Sequence, residues 1–199
     1  MNETLAILAG IGLAAACGFR VFLPLFLASL AVRTGIDGVG GFELASLLGD
    51  DLQWIGGTPA LITLGVATTL EIGAYYVPWI DNALDTIATP AAMIAGTLVA
   101  FALFPGTGGE GMDWALAAIA GGGTAGLIQS GSVLLRGAST ATTGGLGNFA
   151  VATLELIGSV IVTALSVVLP LVAGGLALLL AFYVLVRHGR HLSRRRAAA

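Results

Sequence analysis

The chain has 199 residues, of which 57% are hydrophobic and only 10% are charged. Soluble domains carry about a quarter charged residues on average, so this composition excludes an ordinary soluble domain and indicates a membrane protein. All eight basic residues are arginines, and five of them follow Leu185, so a net charge of −3 combines acidic loops with a basic tail. This asymmetry bears on orientation in a membrane, and it predicts no nucleic-acid partner.

Apolar segments separated by polar stretches predict an all-α polytopic membrane protein with about six transmembrane helices. The predicted spans are 4–32, 59–79, 86–104, 114–135, 149–168 and 170–187. As a helix the first would be about 43 Å long, whereas the hydrocarbon core is about 30 Å thick. It must therefore tilt, or break near Gly18–Pro24, where Arg20 interrupts it. Pro170 separates the last two spans, because proline removes a backbone donor and clashes with the preceding turn.

The polar segments predict the orientation. Six spans place both termini on one side, and the basic tail at 187–199 predicts that this side is the cytoplasm. The same tail favours contact with anionic lipid of the bilayer. The acidic stretch 33–57 is then outside, and its FELASLLG segment is interpreted as a short surface helix.

A duplicated acidic helix suggests an internal repeat within a single domain, 1–199. VATTLEIG at 66–73 returns as VATLELIG at 151–158, and weaker Gly/Ala-rich echoes precede and follow it in the same order. Half-repeats at about 1–105 and 112–190, with three spans each, would enter the membrane in opposite senses, as in many transporters. The alternative is convergent small-residue patterning for close helix approach, for which Gly122 and Gly126 offer a surface.

Three ionisable residues inside apolar helices are candidates for function, because charges at membrane depth are costly. Glu71 and Glu155 occupy matching repeat positions, so they are predicted to meet across the interface and bind a proton or cation. The alternative is that each lies near a helix end and reaches headgroups or a helical partner. Arg20 either neutralises one of these acids or contacts an anionic substrate.

Two polar stretches, Pro78–Pro90 and Ser139–Asn148, are predicted to be helix breaks that line a cavity. Their side chains would supply oxygen ligands and hydrogen bonds to a solute or ion: Asp81, Asn82, Asp85, Thr89, Ser139, Thr140, Thr142, Thr143 and Asn148. The alternative is that both are cytoplasmic loops in which Asp85 and Asn148 cap the following helices. The neighbouring Tyr75, Tyr76 and Trp79 are interpreted as an interfacial aromatic belt.

Three strings carry a family resemblance: AACGFRVFLP at 15–24, LEIGAYYVPWIDNALDTIATPAA at 70–92 and STATTGGLGN at 139–148. Together they resemble a bacterial integral membrane family catalogued as domain of unknown function 4126. The resemblance covers nearly the whole chain, and it implies a multi-pass protein of the bacterial inner (plasma) membrane. It implies no activity.

The leading functional hypothesis is a small transporter or channel for an ion or small polar solute. At roughly 20 kDa a homodimer is plausible for enclosing a pathway. The rival hypothesis is a non-transporting lipid-interacting or scaffold protein of the cell envelope. A third is an intramembrane enzyme acting on lipid headgroups through Asp81, Asp85 and a divalent metal. No cofactor is predicted, and the two histidines lie in the basic tail, so a zinc site is not expected.

Overall fold

The structure is a computed structural model that describes residues 2–38, 42–48, 50–104, 106, 109–180 and 182–183. Helices dominate these residues, as the apolar composition predicts. The helices are α1 (Asn2–Cys17), α2 (Phe22–Thr34), α3 (Thr58–Tyr75), α4 (Pro78–Leu103), α5 (Glu110–Ala117), α6 (Gly123–Thr143), α7 (Asn148–Val168) and α8 (Pro170–Leu180). The basic tail at 187–199 lies outside the described residues.

The first apolar segment is broken where the sequence predicts a break. α1 ends at Cys17 and α2 begins at Phe22, so Arg20 lies in a short non-helical link. A Cβ atom at Gly18 would lie 2.7 Å from the carbonyl oxygen of Ala125, so only glycine allows this link to approach α6 so closely. The two half-helices then differ in their main neighbours and share α7: α1 packs mainly on α4 and α7, and α2 packs mainly on α3 and also on α7.

The predicted break at Pro78–Pro90 is wrong, because this stretch is the helical start of α4. Pro78 begins the helix, where its missing N–H would have had no partner in any case. Pro90 lies inside the helix, which continues to Leu103. The backbone of α4 therefore already turns helically at Asp85, so this residue is not the predicted N-cap.

The stretch Ser139–Asn148, which was predicted to be a helix break, is also mostly helical. α5 continues through a π-helical turn at Ala118–Gly122 into α6, which ends only at Thr143. The link to α7 is thus four residues, 144–147, and its φ angles of 64° and 93° fall on Gly144 and Gly145. Asn148 is the first residue of α7 and makes no side-chain cap.

In its described residues, the segment between α2 and α3 contains two short strands and two 3-10 helices, one of them within the predicted FELASLLG helix. Asp37–Gly38 and Phe42–Glu43 pair as antiparallel strands, and 3-10 helices follow at Leu44–Leu47 and Asp50–Gly56. Leu44 and Leu48 are buried in the main hydrophobic core, whereas Glu43 is exposed, so this segment packs on the bundle through its leucines. The predicted boundary at Pro170 is confirmed, because α7 ends at Val168 and α8 begins at Pro170.

Small residues let the helices of the bundle cross closely. α1 is the most buried helix, and Ala9, Ala14 and Ala16 are completely inaccessible. Where α4 crosses the π-helical turn, a Cβ atom at Gly96 would lie 2.8 Å from the carbonyl oxygen of Gly121. The predicted close approach at GGGTAG is confirmed, since Cβ atoms at Gly122 and Gly126 would meet residues of α4.

The described helices include membrane-spanning candidates. Three are long and apolar enough to cross a bilayer: Ala83–Leu103, Gly111–Thr143 and Asn148–Val168. Shorter apolar helices are Glu3–Cys17, Phe22–Thr34 and Pro170–Leu180. Large apolar side chains such as Ile119, Leu134 and Leu146 are about three-quarters exposed, as expected of surfaces that face lipid. These observations indicate a membrane protein.

Candidate functional site

Glu155 of α7 is the acceptor at the centre of a buried group of charged side chains. Its Oε1 atom accepts hydrogen bonds from Ser132 Oγ and from Arg136 Nε, the latter at 3.2 Å. Its Oε2 atom pairs with Arg136 Nη2 and lies 3.6 Å from Arg20 Nη2. One carboxylate is therefore shared by two guanidinium groups, all three groups being almost inaccessible to solvent.

Arg20 is held in the link between α1 and α2, and only 1% of its surface is exposed. Its Nη2 atom donates to the carbonyl oxygen of Ala152 at 2.7 Å. Its Nε and Nη1 atoms are buried and have no hydrogen-bond acceptor among the described residues. Because a guanidinium has five N–H groups, three of those on Arg20 remain unused. Buried donors without partners cost free energy, so a further acceptor that bonded Nε and Nη1 would be stabilised there.

Tyr75, the last residue of α3, joins the two arginines. The guanidinium carbons of Arg20 and Arg136 lie over its ring, 3.8 and 4.3 Å from the centroid. Tyr75 is buried, so its assignment to an aromatic belt is wrong, whereas Tyr76 is exposed and bonds Thr153 at 2.9 Å. Cation–π contacts are strongest where both partners are desolvated, as they are here. We call Arg20, Tyr75, Arg136 and Glu155 the buried charge cluster.

Glu71 has a different role from Glu155. Its Oε1 and Oε2 atoms accept hydrogen bonds from the backbone amides of Val21 and Phe22, at 2.6 and 3.0 Å. It therefore caps the start of α2 from a neighbouring helix, where the positive end of the helix dipole favours a carboxylate. Arg20 also interacts electrostatically with Glu71. The two glutamates thus contact the same link through different partners: Glu71 holds its backbone and Glu155 its arginine.

The cluster lies inside the bundle rather than at its rim. Glu155 is seven residues from the start of α7, and Arg136 is seven from the end of α6. At 1.5 Å per residue, both are about 10 Å from these helix ends. Asp85 is likewise seven residues inside α4, and its Oδ1 atom lies 3.9 Å from Arg136 Nε. Charge at this depth is stable only when paired.

The bonds described for the other predicted site residues go to partners outside the cluster. Those at the end of α6 mostly bond within their own helix, as Thr142 does to Ala138 and Thr143 to Ser139. Asn148 donates to Thr140 Oγ1 at 3.2 Å, which joins α7 to α6. Thr89 follows Asp85 by one turn of α4 and is half-buried, while for Asp81 and Asn82 the structure describes only the helical backbone.

A cavity of about 320 Å³ reaches the cluster from one side. Ser132 and Glu155 supply its polar wall near the cluster, and Thr124 lies further along α6. The remaining wall is almost entirely apolar: Phe19, Leu127, Ile128, Gly131, Leu135, Val151, Leu154, Ala177 and Leu180. The space therefore suits a molecule with an apolar body and one polar end.

Arg136 and Tyr75 belong to the cluster but were absent from the predicted site. Arg136 falls just outside the predicted fourth span, 114–135, although Gln129, Ser132 and Arg136 follow each other at helical spacing and share a buried face of α6. That spacing would have extended the fourth span and placed Arg136 inside it. Within the described residues, no three His, Cys, Asp or Glu side chains form a group that could hold a metal ion.

Comparison with known proteins places the chain in a family. No curated protein and no solved structure matches it. The family described as Domain of unknown function (DUF4126) matches residues 7–188, which is almost the whole length of the chain. This chain belongs to that family, as the three strings quoted above predicted.

Proposed function

We propose that this chain is a membrane transporter for an ion or small polar solute, and that Arg20 forms part of its binding site. The observation that carries the proposal is the state of Arg20, a fully buried cation with three unused N–H donors. A purely structural arginine at membrane depth would be expected to saturate its donors, because each one left without a partner costs free energy.

The broken first helix supports the proposal. Secondary transporters commonly bind substrate where discontinuous helices expose backbone groups near the middle of the bilayer. Arg20 lies in such a break, between α1, which packs mainly on α4 and α7, and α2, which packs mainly on α3. In the proposed arrangement the chain crosses the membrane six times as two inverted halves, with the cluster between them. Repacking of one half against the other would then expose Arg20 to alternate sides.

The proposal is tested by solute entry into proteoliposomes, followed by stopped-flow light scattering. Three probes distinguish the classes of solute. Potassium chloride tests for a cation or halide, sodium pyruvate for an organic anion, and glycerol for a neutral solute. We expect faster volume recovery than in empty liposomes for at least one of them. Arg20→Gln should slow that recovery about tenfold or more, the effect of losing a charged hydrogen bond. Arg20→Lys keeps the charge but has fewer hydrogen-bond donors, so its rate of volume recovery should be intermediate.

Arg33→Gln is the matched control, because Arg33 is exposed and donates only to Thr58 Oγ1, at 2.9 Å, among the bonds described for it. Its recovery should equal that of the unchanged protein. If Arg20→Gln carries the same solute at the unchanged rate, Arg20 is not in the pathway. If no solute enters faster than in empty liposomes, the transport proposal fails.

A second candidate function is lipid binding without transport, and the apolar cavity beside Glu155 favours it. The cavity lies between α6, α7 and α8, with walls of the kind that accept an acyl chain. Native mass spectrometry of the protein released from nanodiscs would show a retained lipid in this case. Retained lipid together with absent solute entry would favour this candidate over the first.

A further inference from the structure

The buried charge cluster and the apolar cavity meet at one carboxylate. Glu155 lies on the cavity wall and is also the acceptor shared by Arg20 and Arg136. A molecule in the cavity therefore meets Glu155 before it meets either arginine. Whatever reaches the arginines from this side has to take over the position of the Glu155 carboxylate.

Charge balance decides what can replace it. Moving the Glu155 carboxylate away without a substitute would break its ion pairs with two buried arginines, which is strongly destabilising. Asp85 also pairs with Arg136, and Glu71 interacts electrostatically with Arg20. With Glu155, three carboxylates already balance the two arginines, so a fourth would add uncompensated negative charge at a buried site unless one proton is taken up with it. Exchange of one carboxylate for another, with one proton added, leaves the charge of the cluster unchanged.

The walls decide the shape of the replacement. A cavity of about 320 Å³ with apolar walls offers nothing to a hydrated inorganic ion, but it accommodates the alkyl part of a small organic acid. The acid group would then point to Ser132 and Glu155, where the polar wall lies. Both Arg20 and Arg136 carry planar guanidinium groups, whose donor geometry suits a carboxylate.

We infer that the substrate is a small monocarboxylic acid, bound as its anion to Arg20 and Arg136 while Glu155 takes up one proton. This inference rests on the proposed transport function and names its substrate class and coupling ion. When the neutral acid enters, only its O–H bond is broken. The proton goes to an Oε atom of Glu155, and the carboxylate forms hydrogen bonds with the arginines, including the unused donors of Arg20.

The other ionisable groups around this exchange keep their own partners. Tyr75 and Glu71 come from α3, and Glu71 stays on the amides of Val21 and Phe22. Asp85 comes from α4, and its Oδ1 atom lies 3.9 Å from Arg136 Nε. Glu155 is thus the carboxylate that both faces the cavity and pairs with both arginines.

The test uses the full-length protein in detergent with sodium butyrate as probe and butyramide as its uncharged counterpart. Titration in a weakly buffered solution with a pH indicator should show about one proton taken up for each butyrate bound. Calorimetry should show that butyrate affinity falls about tenfold for each unit by which the pH is raised, as expected when one proton binds with each butyrate. Butyramide should bind at least tenfold more weakly. These measurements on the unchanged protein need no variant to fold.

Two variants test whether proton uptake depends on Glu155 and whether butyrate binds in the cavity. Glu155→Gln should bind butyrate with no proton uptake and with an affinity independent of pH. Gly131→Leu should weaken binding, because Gly131 lines the cavity and a leucine side chain there would occupy part of it. Gly137→Leu is its matched control: Gly137 lies on the same helix, a Cβ atom there would meet nothing within 4 Å, and it is not part of the cavity wall. Its butyrate affinity should be unchanged.

Three results would overturn the inference: no binding of butyrate, binding without proton uptake, or equal affinity for butyramide. If butyrate does not bind, the proteoliposome assay shows separately whether the proposed transport function stands. If chloride or glycerol still enters proteoliposomes in a manner that depends on Arg20, transport stands and only the substrate class is wrong. If no solute enters, both fail.

Discussion

At the scale of single residues, the two glutamates of the repeated motif illustrate how one sequence pattern serves two physical purposes. Glu155 balances guanidinium charge, whereas Glu71 binds backbone amides. The difference follows from their neighbours: α7 lies beside two arginines, and the end of α3 lies beside the open start of α2. A free helix start at membrane depth needs acceptors, because no water is available to supply them.

Replacement of Glu71 by glutamine tests this capping role. The glutamine amide would place an N–H₂ donor against one of the two backbone N–H donors of Val21 and Phe22. Loss of one charge-assisted hydrogen bond costs about 1.5–3 kcal/mol, so the melting temperature in detergent should fall clearly. Thr69→Ala is the control, since Thr69 is exposed and bonds only Gly65 of its own helix among the bonds described. An unchanged melting temperature for Glu71→Gln would contradict the capping role.

Sequence reasoning identified part of the cluster and missed the rest for an identifiable reason. Arg20 and Glu155 interrupt apolar runs, so their cost at membrane depth made them visible. Arg136 stands beside polar residues, and Tyr75 beside other aromatic residues, so neither interrupts its surroundings. Only the three-dimensional packing distinguishes Tyr75, which is 5% exposed, from the neighbouring Tyr76, which is 36% exposed.

At the scale of elements, composition predicted where helices exist better than where they end. Proline at 170 marks a true boundary, whereas proline at 78 starts a helix and proline at 90 lies within one. Polar side chains did not break α6, because Thr142 and Thr143 return their hydroxyl groups to their own helix. A hydroxyl group that donates to a carbonyl oxygen of the preceding turn has its hydrogen bond within the helix, so the helix can continue through the polar residue.

The crossing of α4 with the π-helical turn provides a test of element packing. Gly96→Ala would place a Cβ atom 2.6 Å from the Cβ atom of Ala125 and 2.8 Å from a backbone oxygen of Gly121. Overpacking of this kind costs about 1–3 kcal/mol, so thermal stability in detergent should fall. Gly123→Ala is the matched control, because a Cβ atom there meets nothing within 4 Å. Equal stability of the two variants would show that the crossing tolerates wider separation.

At the scale of the whole molecule, the proposed transport mechanism requires a defined orientation. The proposed six crossings and the basic tail predict that both termini face the cytoplasm. Green fluorescent protein fused after Ala199 should therefore fluoresce, and alkaline phosphatase fused at the same place should be inactive. Active phosphatase at this position would reverse the orientation. The half-repeats would still be compatible with transport, but the side from which the cavity opens would change.

The break between α1 and α2 also gives the protein a built-in reporter of conformation. Cys17 is the single cysteine of the chain, it is the last residue of α1, and it is completely buried. A membrane-permeant maleimide should therefore label native protein far more slowly than protein unfolded in SDS. Any condition that separates the two half-helices should accelerate labelling at this one thiol. The wild-type chain can thus report each opening of its own first helix chemically, without an introduced probe.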